Sequence, residues 1–333
     1  ELELLSRCQV LVVGGGPAGV SAAIAARRAG ADVTLVERYG HFGGLWTGGL
    51  VLLVLGHIVS GGKQVCMGIG EEMMQRLEKL PGGIINRQTG RNPTVDAEAL
   101  KYVMVEMIEE AGVEVFLHAW GVDAILEENA VRGAVFESKS GRQAILADVV
   151  VDATGDGDIF AAAGAEFEHR SHNVGLVSRV GNVDRVDPSR SAESERPKRL
   201  GSPTPAPGVN WINLIGPEVD GLDVRTLTRM EMSHRKFIWR NIQRARQTPG
   251  YESLYLVETA PQLGVRITRV LNGMATVRYA DLRAGRRFDD VVAVGGSTNG
   301  QHGEWQVPYG ALVPKGVDNV LAAGRCISVD MGM

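Results

Sequence analysis

The feature that most constrains this chain is a glycine-rich corner between an apolar strand and a small-residue helix near its amino end. The run from Gln9 to Val13 is rich in β-branched residues, which is typical of a strand buried on both faces. Gly14-Gly15-Gly16-Pro17-Ala18-Gly19 follows at once, and the alanine-rich run from Val20 to Gly30 predicts a helix. Asp32 to Val36 predicts a second buried strand, with Glu37 at its end. This order predicts a βαβ unit that binds a dinucleotide.

Each residue of this corner has a separate physical role. Gly14 permits the tight turn, Gly16 lets the backbone approach a pyrophosphate, and Gly19 lets helix and strand lie close together. The helix N-terminus offers unpaired N–H groups and a partial positive charge, and Pro17 removes an N–H that has no helical partner. Glu37 follows about 20 residues later, where a carboxylate can accept hydrogen bonds from a ribose diol.

Three later segments favour FAD over NAD as the dinucleotide. Arg38 to Thr47 contains the pair Gly43-Gly44. Asp148 to Asp158 predicts a buried strand that ends in an Ala-Thr-Gly-Asp turn, and Val317 to Cys326 predicts another strand with a glycine turn. Through its GGGPAG start, ATGDGD middle and VPKGVDNVLAAGRCIS end, the chain resembles the FAD-dependent oxidoreductase family with a glutathione-reductase-type FAD-binding fold.

The resemblance implies a fold class, a domain arrangement and a set of cofactor contacts. The fold is α/β, with a glutathione-reductase-type FAD-binding domain built on a Rossmann-like parallel sheet and an inserted α+β substrate domain. The FAD-binding domain is expected to be discontinuous, over residues 1–50, 95–165 and 290–333, with 51–94 and 166–289 on the substrate side. The residues expected at the FAD are Gly14, Gly16, Pro17, Ala18, Gly19, Glu37, Arg38, Gly43, Gly44, Trp46, Thr47, Val122, Ala153, Thr154, Gly155, Asp156, Gly324 and Arg325.

The end of the chain departs from the family pattern. In the family, a helix follows the segment that ends here at Ser328, and its N-terminus approaches the flavin pyrimidine. This sequence ends at Met333. Whether the chain continues past Met333 into this helix stays open, and without the helix the flavin site would be incomplete.

Two segments of the inserted region have a clear local pattern. Asp187 to Gly208 is rich in proline, which predicts a loop or a mobile lid. Arg225 to Gln247 predicts a charged helix. Its apolar stripe, expected to face the core, consists of Leu227, Met230, Phe237 and Ile238.

Because the isoalloxazine ring carries the redox step, the sequence is expected to supply groups that orient a substrate. In the run Gly264 to Arg269, Arg266 is a candidate to clamp a carboxylate, with a structural salt bridge as an equal alternative. For Arg269 the salt bridge is favoured.

A second source of such groups is the polar run Gly295 to Gln306, which precedes an expected strand start at Pro308-Tyr309-Gly310. His302 is its candidate proton donor or acceptor, with a hydrogen-bonded structural histidine as the alternative. Tyr309 is a second candidate.

Composition limits the ligands and the cellular compartment that are expected for this chain. The net charge of −4 gives no electrostatic reason to bind nucleic acid, and no apolar run reaches the roughly 18–20 residues of a membrane span. Cys8, Cys66 and Cys326 form neither a CxxC pair nor a zinc spacing. No metal site and no redox dithiol are therefore predicted, and a reducing cytoplasm is expected. The oligomeric state stays open.

The predicted function is that of an FAD-dependent dehydrogenase or reductase, which moves a hydride between flavin and a small organic substrate with an unknown electron partner. A flavin monooxygenase needs the same fold plus a reductant and an oxygen-accessible flavin. An RNA-modifying flavoprotein of the GidA type shares the fold but predicts an extended basic surface, which the acidic balance disfavours. An NAD-binding protein without flavin is disfavoured by Gly43-Gly44 and the Ala-Thr-Gly-Asp turn.

Overall fold

A mixed sheet around the amino-terminal βαβ unit organises the fold. The computed structural model describes residues 2–59, 62–87, 91–296 and 304–330. The helices are α1 (Pro17–Arg28), α2 (Ile69–Glu78), α3 (Ala97–Ala111), α4 (Asp158–Ala162), α5 (Val224–Arg246) and α6 (Tyr279–Arg283). The strands are β1 (Glu3–Val13), β2 (Val33–Glu37), β3 (Ile84–Ile85), β4 (Thr94–Val95), β5 (Glu114–Leu117), β6 (Trp120–Glu127), β7 (Ala130–Ser138), β8 (Gly141–Asp152), β9 (Phe167–His169), β10 (His172–Asn173), β11 (Leu176–Gly181), β12 (Ser202–Pro203), β13 (Val209–Leu214), β14 (Glu218–Val219), β15 (Tyr255–Thr259), β16 (Arg269–Leu271), β17 (Val291–Gly296), β18 (Glu304–Pro308) and β19 (Val320–Ala322).

The carboxyl ends of five parallel strands meet at one edge of the main sheet. Strands β5, β2, β1, β8 and β19 lie side by side and run in the same direction. The antiparallel hairpin of β6 and β7 pairs with the first half of β8, while β19 pairs with its last residues, from Val150 to Asp152. Since parallel strands end on the same side, the turns after β1, β2, β8 and β19 are gathered there. The expected Rossmann-like sheet is confirmed.

The two faces of β1 explain its unbroken apolar run. Val12 packs in a cluster with Ile24 of α1, whereas Leu11 and Val13 pack on the other face with Phe136 and other residues. Alternate side chains of a strand point to opposite faces, so a strand covered on both sides needs apolar residues at every position. The strand begins at Glu3, earlier than predicted, because its first half pairs with β8.

Helix α3 begins and ends at residues that suit helix termini. Asp96 is the N-cap of this helix, which spans Ala97–Ala111. The Asp96 carboxylate accepts hydrogen bonds from the backbone N–H groups of Glu98 and Ala99, both at 3.0 Å. The helix ends at Gly112, whose positive φ of 70° suits glycine at a helix C-terminus.

A second, antiparallel sheet of order β12-β13-β11-β15 lies in the inserted region and packs against α5. Ile238 is buried in this packing, and Leu227 and Met230 contact it. The expectation that Phe237 faces the core is wrong, since its side chain is 50% exposed. His234, four residues before Ile238, is buried in the stripe instead, and Phe237 is rotated away from it.

Two further expectations need correction. The segment from Asp187 to Gly208 is not a plain loop, because it contains short 3₁₀ turns and the strand β12. The strand expected to start at Pro308 instead ends there, as β18. Backbone N–H groups of Tyr309 and Gly310 bond to the carbonyl and the carboxylate of Asp290, which holds the chain in a turn. Among the described helices, none is both long and apolar enough to cross a membrane.

Candidate dinucleotide-binding site

The three motif glycines after β1 meet different surroundings. Gly14 has a φ of +107°, and its N–H donates to the carbonyl of Val36 at 2.8 Å. A Cβ at Gly19 would overlap the carbonyl oxygen of Gly14, so the close approach of helix and strand requires glycine there. Among the described residues other than its chain neighbours, a Cβ at Gly16 would have only the Cα of Gly44 nearby, at 4.0 Å. Protein packing therefore demands Gly14 and Gly19, whereas the space at Gly16 is left open.

The second glycine turn lies directly against this open space. The N–H of Gly43 donates to the carbonyl of Gly15 at 2.8 Å, and a Cβ at Gly44 would lie 3.1 Å from the Cα of Gly16. The turn is held by Thr47, which is 1% exposed and donates its hydroxyl to the carbonyl of Phe42 at 2.6 Å. Trp46 packs against the core behind it. Two bare backbone turns thus face each other at the N-terminus of α1.

The turns after β8 and β19 join the same place. The N–H of Ala153 donates to the carbonyl of Val13, and that of Ala323 donates to the carbonyl of Asp152, both at 2.8 Å. A Cβ at Gly324 would lie 3.2 Å from the Cβ of Ala18 in the first turn of α1. The structure therefore brings together the turns that the sequence pattern singled out in widely separated parts of the chain.

Glu37 is held at the end of β2 with its carboxylate in a fixed position. It is 6% exposed, and its two oxygens accept hydrogen bonds from the N–H of Gly15 at 2.6 Å and of Tyr39 at 2.8 Å. A carboxylate oxygen has a second lone pair, so each can still accept a hydroxyl group. The guanidinium of Arg38 lies over the ring of Trp120 at 5.3 Å. Val122, on β6, is 39% exposed.

Arg325 links the last turn to the segment from Gly264 to Arg269. Its Nη1 donates to the carbonyls of Val265 at 2.8 Å and Arg266 at 2.7 Å, and its Nη2 pairs with Asp156 at 3.4 Å. It also lies over Gly155, where a Cβ would overlap the guanidinium. Asp156 and Arg325, two of the charged residues predicted at the cofactor, therefore hold together the loops around the cleft.

Asp152 is a buried residue that the sequence analysis did not single out. Its carboxylate is fully buried and accepts hydrogen bonds from the hydroxyl and N–H of Thr154 and from the N–H groups of Ile159 and Phe160. It therefore caps α4 and fixes the turn between β8 and that helix. The available signal was its position, a carboxylate at the end of an apolar strand shortly before a helix.

Burial raises the pKa of Asp152 from its ordinary value of 3.8 to about 6, although hydrogen bonds from Phe160 and Thr154 act in the opposite direction. Since the folded protein holds this proton more tightly than the unfolded chain, the group stabilises the fold fully below about pH 4. As pH rises through about 6, this contribution to the free energy of unfolding falls by roughly 3 kcal/mol.

We expect the difference in unfolding free energy between wild type and Asp152→Asn to fall by this amount from pH 4 to 7, because only the wild-type side chain titrates. Urea unfolding of the two proteins over this pH range measures the difference. A pH-independent difference would contradict it.

The three residues predicted to take part in substrate chemistry differ in what the structure shows of them. His302 lies outside the described residues. Arg266 is exposed, and its guanidinium forms no ion pair with any residue of the described ranges. Tyr309 is 47% exposed in the turn after β18. Arg269, in contrast, forms a salt bridge with Asp158 at 2.8 Å, the structural role that was favoured for it.

Gln262 is a second residue that the sequence analysis missed, although it lies just before the Gly264 to Arg269 run. It is 9% exposed, and its carboxamide oxygen has no hydrogen-bond partner among the described residues. The backbone N–H of Gln262 donates to the carbonyl of Gly48 at 3.2 Å, beside the second glycine turn. No local pattern marks this glutamine, because the contact joins distant parts of the chain.

The site fits a flavin dinucleotide. The open backbone at Gly16 and Gly44, at the N-terminus of α1, would hold a pyrophosphate, and the fixed carboxylate of Glu37 would hold a ribose. The carboxamide oxygen of Gln262, which has no partner in the described part of the chain, is the kind of buried acceptor that a bound ligand satisfies. Within the described ranges, no group of three or more potential metal ligands is found.

Comparison with known proteins agrees with this geometry. The family described as FAD dependent oxidoreductase matches residues 9–201 and 182–332. Digeranylgeranylglycerophospholipid reductase 1 of Methanopyrus kandleri is 31% identical over 201 residues, which cover 57% of this chain and 52% of that protein. The thiamine thiazole synthase of Sulfolobus acidocaldarius is 30% identical over 227 residues, 64% of this chain and 77% of that protein.

A solved structure shows the same fold at greater distance. The myxobacterial chondrochloren halogenase CndH, an FAD-dependent halogenase, aligns with a TM-score of 0.54 and 15% identity, over 98% of this chain and 70% of that one. The chain spans about half the length of the Methanopyrus reductase. The family match extends over nearly the whole sequence, the fold agrees, and the glycine turns meet at one cleft, so FAD is the cofactor. The chain belongs to the FAD-dependent oxidoreductase family.

Proposed function

We propose that this chain is a dehydrogenase or reductase that moves a hydride between FAD and a small organic substrate. The observation that carries the proposal is the meeting of the four glycine turns at the N-terminus of α1, next to a segment whose Arg266 forms no ion pair within the described ranges. When bound, FAD supplies two-electron redox chemistry at its isoalloxazine ring. The protein's part is to bind the dinucleotide, orient the substrate and exclude other reactions.

The substrate is expected to carry a carboxylate or a similar anionic group. Arg266 supports this, because its backbone carbonyl is fixed by Arg325 while its own guanidinium is exposed. A guanidinium held in place at its backbone can form paired hydrogen bonds with a carboxylate. The cluster of turns would bind the cofactor, and Arg266 would then fix the end of the substrate that does not react.

The test is anaerobic reduction of the FAD-loaded protein by a set of small organic acids and their uncharged amides. The proposal expects at least one acid to bleach the yellow flavin, or the reduced flavin to be reoxidised by an unsaturated acid. Consumption of oxygen together with NAD(P)H and a hydroxylated product would instead identify a flavin monooxygenase. Failure of the purified protein to take up FAD would contradict the whole interpretation.

Arg266→Ala separates the role of the arginine from that of the fold. We expect kcat/KM for the reactive acid to fall about 10- to 100-fold, since hydrogen bonds to charged groups contribute roughly 1.5–3 kcal/mol. The matched control is Arg240→Ala, which removes an exposed arginine from α5. Equal rates for wild type and Arg266→Ala, with the acid still preferred over its amide, would assign substrate recognition to another residue.

A further inference from the structure

The carboxamide oxygen of Gln262 is a buried acceptor that accepts no hydrogen bond from the described residues. The residue is 9% exposed, yet its Oε1 has no partner within the described part of the chain. Leaving a buried acceptor unpaired destabilises a protein, and such groups in folded proteins are usually satisfied by a ligand or a water. The oxygen therefore indicates a missing donor.

The surroundings of Gln262 place this missing donor at the cofactor cleft. A Cβ at Gly48 would lie 3.0 Å from both the Cδ and the Oε1 of Gln262, and 2.9 Å from the Cε1 of His41. Gly48 follows the second glycine turn, whose Gly43 is bonded to Gly15. The amide and the imidazole thus flank one bare backbone position beside the turn.

The residues that follow Gln262 in the chain are also held beside the cleft. Arg325 holds the carbonyls of Val265 and Arg266, and it reaches Asp156 in the turn after β8. Gln262 therefore lies on a short bridge between two of the glycine turns. A single ligand that touches both turns passes close to this bridge.

The hydrogen bonds of the bridge indicate which half of the cofactor would lie beside it. The Glu37 carboxylate, which accepts a hydrogen bond from the N–H of Gly15, is the group that the dinucleotide-binding pattern assigns to the adenosine ribose. The hydrogen bonds of the bridge run to Gly48, Gly175 and Arg325 rather than to Glu37. The ribityl hydroxyls and the ring N–H groups of the flavin are donors that match an amide oxygen.

We propose that the Gln262 carboxamide oxygen accepts a hydrogen bond from the flavin half of FAD. The inference rests on the same cleft as the proposed function, but only on cofactor binding and not on the reaction with a substrate. It makes Gln262 a cofactor contact that tunes affinity, and the redox potential as well if the donor is a ring N–H.

The test is Gln262→Met, which keeps the length of the side chain and removes its polar atoms. FAD titration should give a Kd about five- to tenfold higher than wild type, the effect of one neutral hydrogen bond. The apoprotein should unfold at an equal or higher temperature than wild type, since no unpaired oxygen is buried. Gln247→Met, at the exposed end of α5, is the matched control and should change neither quantity.

Gln262→Glu distinguishes a ring contact from a ribityl contact. A carboxylate next to the ring disfavours electron-rich reduced flavin, so a ring contact predicts a more negative midpoint potential. A ribityl contact predicts an unchanged potential, because a carboxylate also accepts a hydrogen bond from a hydroxyl group. A Gln262→Met variant with wild-type Kd, absorbance spectrum and potential would overturn the proposal. So would a lower unfolding temperature of the apoprotein at unchanged Kd. If Gln262→Met does not fold, a wild-type structure with FAD in which the amide oxygen contacts no flavin atom overturns it. Wild-type protein without FAD affinity would remove this inference and the proposed function together.

Discussion

Gly16→Ala is expected to weaken FAD binding by about 100-fold or more, equivalent to at least roughly 2.7 kcal/mol, while the apoprotein keeps its stability. A Cβ at Gly16 meets no protein atom closer than the Cα of Gly44 at 4.0 Å, and its backbone angles are ones that alanine adopts readily. The added methyl group therefore disturbs nothing in the empty protein. It occupies the space into which the pyrophosphate must come, at the N-terminus of α1.

Gly19→Ala is the matched control, because it makes the same change three residues later in the same motif. Here the Cβ would overlap the carbonyl oxygen of Gly14, so α1 must move away from β1. We expect the apoprotein to lose about 3 kcal/mol of unfolding free energy, in addition to its FAD affinity. Urea unfolding without FAD and fluorescence titration with FAD measure the two effects separately. Wild-type FAD affinity in Gly16→Ala would show that the phosphates do not approach this backbone.

The contrast between these two glycines also shows what the sequence could predict. The order of strand, glycines, helix, strand and acid is local, so β1, α1, β2 and Glu37 follow from one continuous stretch. The turns after β8 and β19 could be predicted because each is a strand with its own glycine signal. Parallel strands then place such turns at a common edge, whatever the separation along the chain.

The parts that the sequence did not predict depend on contacts between distant segments. Gln262 is ordinary in its local context, and only its bond to Gly48 places it beside the cleft. Phe237 belongs to an apolar stripe by composition, yet the sheet packs on the face that carries His234 and Ile238. The turn at Tyr309 is set by bonds to Asp290, which no strand propensity reveals.

Removal of the Asp152 carboxyl group is expected to have the largest effect on stability. Its carboxyl group is the common acceptor for four donors: the hydroxyl and N–H of Thr154 and the N–H groups of Ile159 and Phe160. Asp152→Ala leaves these donors without an acceptor in a fully buried site. Because each unpaired buried donor costs roughly 1–3 kcal/mol and partial relaxation recovers some of it, we expect a loss on the order of 4 kcal/mol.

The measurement is urea unfolding of the apoprotein at pH 5, where most of the wild-type carboxyl is protonated and contributes more to stability than at neutral pH. Asp148→Ala is the matched control, since Asp148 lies on the same strand but is exposed, and it should change stability by about 0.5 kcal/mol or less. FAD affinity should fall as well in Asp152→Ala, because the same carboxyl fixes the turn from Ala153 to Gly155, which lies beside Gly14 and Gly19. If Asp152→Ala and Asp148→Ala were equally stable, the turn after β8 would be held by its packing alone, and the cofactor cleft would not depend on a buried acid.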